Sequence, residues 1–155
     1  MRLKALFACL ALCSSTLFAE QTLSIIKPDA VENGYAGQIL AQLEQEGLKI
    51  SGIKMVQLDR AQAAEFYEMH QDKPFYSELV TFMTSGPIIV QVLEGDNAIQ
   101  DYRKLMGATN PQDAKPNTLR AQFAESKGRN AVHGSDSEDA AIREISLFFT
   151  PEELF

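Results

Sequence analysis

The stretch Arg129-Asn-Ala-Val-His-Gly-Ser-Asp-Ser137 holds one of the chain's two histidines. His133 follows the apolar step Ala131-Val132 and precedes Gly134, which puts its ring at the end of a strand or turn among small neighbours. An imidazole with an ordinary pKa of about 6.5 is largely neutral, and nucleophilic, at neutral pH. By itself the stretch also fits a solvent-facing loop histidine. Elsewhere the chain offers a set of cations and donors: Lys27, Arg103, Thr109, Arg120 and Asn130. Such groups around one histidine suit phosphoryl transfer, which asks mainly for positioning and charge neutralisation. Arginine in particular grips phosphate oxygens two at a time. Each also fits a surface charge, and Lys27 fits a strand-end residue whose head snorkels to water.

These groups need elements to hold them. Thr22 to Lys27 alternates polar and apolar residues and predicts a strand, closed by a turn at Lys27-Pro28-Asp29-Ala30. A helix is predicted over 36–47, with Gly47 as its stop, and a second strand over 48–58 with a bulge at Ser51-Gly52. Asp59 and Gln62 form a capping box opening a helix to about Met69, and Phe75 to Thr84 makes another after Pro74. Pro87 to Leu93 is nearly all apolar and predicts a central strand buried on both sides. A helix over 97–106 follows, then a long polar loop over 107–118 of the kind that often carries function.

Ala131 to His133 is the last strand, and Ser137 caps the final helix. That helix buries Ala141, Ile145, Phe148 and Phe149, with Glu144 at the edge of the stripe. A carboxylate there wants a partner, unless it is a solvated edge residue. Two strand-helix-strand halves predict an α+β fold: a ferredoxin-like four-stranded antiparallel sheet covered by helices on one face.

The 155 residues suffice for one domain, and the formal charge of −7 argues against nucleic-acid backbone binding as the main function. Residues 1–19 differ from the rest. Arg2 and Lys4 precede nine consecutive apolar residues, Ala5 to Cys13, and a polar step leads to Ala19. This is the form of a signal peptide cleaved after Ala19, although Leu17 is large for its place; the alternative is an uncleaved N-terminal extension. The run falls short of the roughly 20 residues that span a bilayer. Both cysteines, Cys9 and Cys13, lie in this leader, so residues 20–155 offer neither a disulfide nor a thiolate metal site. Without the leader the charge is −9, from 12 basic and 21 acidic side chains.

No Gly-x4-Gly-Lys-Ser/Thr loop and no Gly-rich dinucleotide turn is present. Instead, TLSIIKPDAV, KPFY at 73–76, SGPIIVQVLEG at 85–95, MGATNPQDAKPNTLRAQFA at 106–124 and GRNAVHGSDS at 128–137 stand in order at consistent spacing. Across residues 20–155 the chain resembles the nucleoside diphosphate kinase family, and Asn-x-x-His-Gly-Ser-Asp-Ser is highly specific to it.

The resemblance implies ping-pong transfer of the γ-phosphoryl of a nucleoside triphosphate, typically ATP, to a nucleoside diphosphate through a phosphohistidine on His133. It implies that Glu144 orients the ring, that Ser135 supports it, and that Lys27 serves both catalysis and phosphate binding. Tyr67, Arg103, Thr109, Arg120 and Asn130 would bind the nucleotide, and Phe75 would stack on its base. Mg2+ would arrive on the phosphates, with no direct protein ligand. Homo-oligomers, tetramers or hexamers, are the family habit. Lys73 and Tyr76 stand where arginine and phenylalanine are common. The family expectation is a cytoplasmic location; a working leader would make the protein periplasmic or secreted. The alternative function is that of a secreted nucleotide-binding interaction protein with the same fold, acting on a host or envelope partner.

Overall fold

The computed structural model describes residues 19–155. The expected leader, with both cysteines, therefore lies outside the described residues except for Ala19. Four strands, β1 (Glu20–Ile26), β2 (Lys49–Val56), β3 (Ile88–Gly95) and β4 (Val132–Gly134), form one sheet in the order β2-β3-β1-β4, every neighbouring pair antiparallel. The helices among the described residues are α1 (Pro28–Glu32), α2 (Ala36–Gln45), α3 (Arg60–Phe66), α4 (Tyr76–Met83), α5 (Ala98–Met106), α6 (Leu119–Phe123) and α7 (Glu138–Ser146). This is the α+β, ferredoxin-like sheet anticipated from the sequence.

The helices cover both faces of the sheet rather than one. Successive residues of a strand point to opposite faces. Leu23, Ile25, Val90 and Val92 pack with Phe66 and Met83 on one side. Ile26, Ile89 and Leu93 pack with Ile39, Leu43 and Tyr102 on the other. Because β3 is apolar at consecutive positions and β1 is buried from Thr22 to Ile26, each face has to be hidden from water.

Local signals behave as their chemistry requires. Asp59 and Gln62 close the capping box at α3, Gln62 N donating to Asp59 Oδ1 at 2.8 Å and Asp59 N to Gln62 Oε1 at 3.0 Å. Ser137 Oγ accepts from Ala140 N at 3.2 Å and starts α7. The bulge falls between Ile50 and Gly52. Two short helices go beyond the sequence reading. The turn after β1 is the first turn of α1, where Pro28 needs no hydrogen-bonded N–H. The polar loop after α5 contains a 3-10 turn, Pro111–Asp113, and leads into α6.

The short strand β4 sets the site. Ile25 pairs with His133 and Ser24 with Gly134, so the imidazole shares the face of Ile25. Gly134 is fixed by its neighbours: a Cβ there would lie 2.8 Å from Met106 Cε and from two ring atoms of Tyr102. Tyr102 is fully buried, and Ser24 Oγ donates to its hydroxyl at 2.7 Å, so the ring has nowhere to retreat. Gly134→Ala should cost about 1–3 kcal/mol of stability through overpacking. Urea unfolding checks this; an unchanged midpoint would show that the α5–β4 contact is looser than described.

Candidate active site

Glu144 on α7 is 4% exposed and supplies one oxygen to two donors. Its Oε2 lies 2.9 Å from His133 Nε2 and accepts from Ser135 Oγ at 2.7 Å. Ser135 Oγ in turn accepts from Leu23 N of β1 at 3.1 Å. A carboxylate accepts hydrogen bonds, so Nε2 carries the ring proton and Nδ1 keeps its lone pair. The bond thus selects the tautomer whose free nitrogen is Nδ1. Burial holds the His133 pKa below its usual 6.5; Glu144 opposes the shift, and the charges of Lys27 and Arg120 reinforce it. The ring is neutral at neutral pH and held at one edge.

A cationic group stands beside it. Lys27 Nζ donates to Asn130 Oδ1 at 2.7 Å, and burial, aided by the charge of Arg120, lowers its pKa to about 8. Asn130 Nδ2 donates to Lys127 O at 3.0 Å and Thr109 O at 3.3 Å, tying the long loop to the site. Arg120 spends Nη1 on Gly107 O and Nη2 on Val132 O, each at 3.0 Å. Its pKa is lowered by burial, with Tyr102 opposing and Arg103 adding to the shift. Arg120 Nε and the Tyr67 hydroxyl are buried without a partner among the described residues. Donors left open in this way suit a place that receives anionic oxygens.

The structure brings His133, Glu144, Ser135, Lys27, Tyr67, Arg120 and Asn130 together. Arg103 reaches the group through its charge on Arg120, and Thr109 through its backbone carbonyl. Phe75 stands farther out and is 49% exposed. A row of rings connects it inward. Phe75 lies 5.7 Å from His70, His70 stacks on Tyr67 at 6.3 Å, and Tyr67 meets His133 edge-on at 6.2 Å.

The sequence reading missed three residues here. Phe66 packs edge-on against His133 at 5.1 Å. His70 fills the gap in the row; three places after Tyr67, it follows that residue by a single turn, which was the available signal. Asp29 is buried, and its Oδ2 accepts from Ala131 N at 3.0 Å. Ala131 holds φ at 67°, a left-handed conformation that costs a residue with a Cβ about 1–3 kcal/mol. The Asp29 bond and the Lys27 N to Ala131 O bond at 2.8 Å hold it there, two residues before His133. Among the described residues, no group of three or more His, Asp or Glu side chains is placed to hold a metal ion.

A family model described as nucleoside diphosphate kinase matches residues 20–154. Nucleoside diphosphate kinase 1 of Protochlamydia amoebophila (strain UWE25) is 59% identical over 136 residues, covering 88% of this chain and 96% of that protein. The nucleoside diphosphate kinase of Coxiella burnetii (strain CbuK_Q154) is 56% identical over 136 residues, covering 88% and 98%. Among solved structures, the Aquifex aeolicus nucleoside diphosphate kinase superposes with a TM-score of 0.87 at 45% identity, covering 88% of this chain and 99% of that one. The Halobacterium salinarum enzyme, solved in complex with CDP, gives 0.85 at 47% identity, covering 88% and 91%.

Two of the shifted groups, His133 and Lys27, can be followed directly. In an NMR titration, His133 should gain its proton only as pH falls below 6.5, and Lys27 should lose its own as pH rises through about 8. The ring is then neutral and the ammonium charged between the two midpoints. A His133 midpoint above 6.5 would mean that Glu144 outweighs burial.

Proposed function

The chain belongs to the nucleoside diphosphate kinase family, and on that premise we propose that its phosphoryl transfer between nucleotides runs through His133. The observation that carries this is the Glu144–His133 bond, which leaves Nδ1 as the nucleophile. Its lone pair attacks the γ-phosphorus of a nucleoside triphosphate. The N–P bond forms, the bond to the bridging oxygen breaks, and the electron pair leaves with the diphosphate. Nε2 keeps its proton, so the phosphorylated ring carries a positive charge that the Glu144 carboxylate offsets. A second nucleoside diphosphate then takes the phosphoryl group by the reverse steps.

Ser135 fixes the carboxylate that orients the ring. Lys27, Arg120 and Arg103 neutralise the phosphates, with Asn130, Thr109 and the Tyr67 hydroxyl as further polar contacts. Phe75 offers its exposed ring to the base; stacking tolerates any base, which suits an enzyme that exchanges phosphoryl groups among nucleotides. The donors around His133 suit anionic phosphate oxygens rather than a bare cation; Mg2+ would come with the nucleotide and would lower the charge of its phosphates. The rival reading, a secreted interaction protein, draws support from no relative reported above.

Self-association belongs to the same proposal. Ile53 and Met55 on the outer strand β2 are 51% and 63% exposed, and an outer strand with bare apolar side chains is a surface for a second copy. Among the described residues no helix is long and apolar enough to cross a membrane.

Two tests follow from these assignments. Incubation with γ-labelled ATP and Mg2+ should give an acid-labile, base-stable label that a nucleoside diphosphate discharges, and His133→Ala should abolish it. A label persisting on histidine in that variant would move the role to His70. Light scattering should show an oligomer that Met55→Lys shifts toward monomer; a monomer before substitution would refute self-association.

A further inference from the structure

We infer that Arg143 is a positioning residue that keeps the nucleotide-binding segment Tyr67–Phe75 in register with the nucleophile; the inference rests on the roles proposed above for His133, Tyr67 and Phe75. Helix α7 carries two consecutive polar side chains with different targets. Glu144 reaches the sheet and holds His133. Arg143 reaches α3, where Nη2 donates to Phe66 O at 3.0 Å and lies 3.7 Å from Met69 Sδ. Its Nη1 is 3.7 Å from Glu68 Oε1.

Phe66 is the last residue of α3, and a helix leaves its final carbonyls without intrahelical partners. Each carbonyl taken up by another element fixes where the helix ends. Here Tyr67 N takes Ala63 O, the Tyr76 hydroxyl takes Ala64 O at 3.2 Å, and Arg143 takes Phe66 O. A cation at this end also meets the negative pole of the helix. Past Phe66 the chain makes a 3-10 turn, Glu68–His70, and runs through Gln71 to Phe75, all exposed. That stretch has little burial of its own to hold it. The guanidinium is the tie that reaches it from α7, and its planar fork can serve more than one acceptor at once.

The weight of the contact is geometric. The Arg143 side chain is 31% exposed and its Glu68 partner 63%, and ion pairs so open contribute little to stability. One helix, however, sets both halves of the site: the nucleophile through Glu144, and the row of rings through Arg143. Phe66 closes the loop, since its carbonyl is held by Arg143 while its ring leans on His133. Cutting the Arg143 tie should displace the nucleotide clamp and leave the His133–Glu144 pair in place.

The test is a split between binding and turnover. Arg143→Met keeps the side-chain stem and removes the guanidinium. It should raise KM for ATP about 5- to 30-fold while kcat at saturation changes less than about twofold, the pattern of lost binding geometry rather than lost chemistry. Arg143→Lys should recover part of the difference and keeps the test available should Arg143→Met fail to fold. Amide exchange should quicken at 66–71 and stay unchanged at 132–134. Unchanged KM with unchanged exchange, or a fall in kcat at constant KM, would overturn the inference. Absence of label on His133 in the unsubstituted protein would instead sink the kinase mechanism, while the exchange measurement would still decide whether Arg143 holds the segment.

Discussion

Glu144 has 4% of its surface in water, and a carboxylate so placed is tolerable only when its oxygens are used. Much of the molecule meets that condition. The carboxylate takes a hydrogen bond from Ser135, Ser135 takes one from the backbone of β1, and β1 pairs with the strand that carries His133. The circuit closes on itself. A shift of α7, β1 or β4 would strand a buried polar group, at a cost of about 1–3 kcal/mol. The rigidity that the proposed reaction needs is therefore also what solvation of a buried charge requires.

A second constraint lies at the junction of β1 and β4. Lys27 follows one strand and Ala131 begins the approach to the other, and Lys27 N donates to Ala131 O at 2.8 Å. Holding Ala131 at φ 67° turns the chain so that Asn130 meets Lys27 and His133 lands on the face of Ile25. Asp29 supplies the bond that secures this conformation. Gly134 admits the Tyr102 ring on the far side, which lets α5 lie close enough to bring Arg103 to bear on Arg120. Strain, close approach and charge are concentrated within a few residues of the imidazole.

Much of this was legible in the sequence because its signals are local. The capping box at Asp59, the Ser137 cap, the bulge at Ser51-Gly52 and the apolar run of β3 each depend on neighbours in the chain. Glu144 was legible as a carboxylate at the edge of an apolar stripe, and its partner came from the family resemblance. What the sequence hid depends on contacts between distant segments. The role of Asp29 exists only because Ala131, 102 residues on, needs a partner for its N–H. Helix α1 was taken for a turn because five residues after a proline show no period; Pro28 at its first position was the available sign. Reading one covered face instead of two came from the two strand-helix-strand halves. The consecutive apolar residues of β3 already required cover on both sides.

The bond from Leu23 N to Ser135 Oγ joins residues 112 apart in sequence. Loop closure over such a span is slow, and it has to precede any reward from the contact. A chain emerging from the ribosome has β1, β2 and β3 long before it has Ser135, His133 or Glu144. With those three strands it can form most of the sheet and most of the core around Phe66 and Met83, yet it lacks the His133–Glu144 pair. The parts to which the proposed chemistry is assigned therefore arrive last, with the short strand and the final helix. On the proposed mechanism, a chain that stops short of β4 and α7 lacks the group that takes the phosphoryl, so turnover would itself report that folding has reached its end.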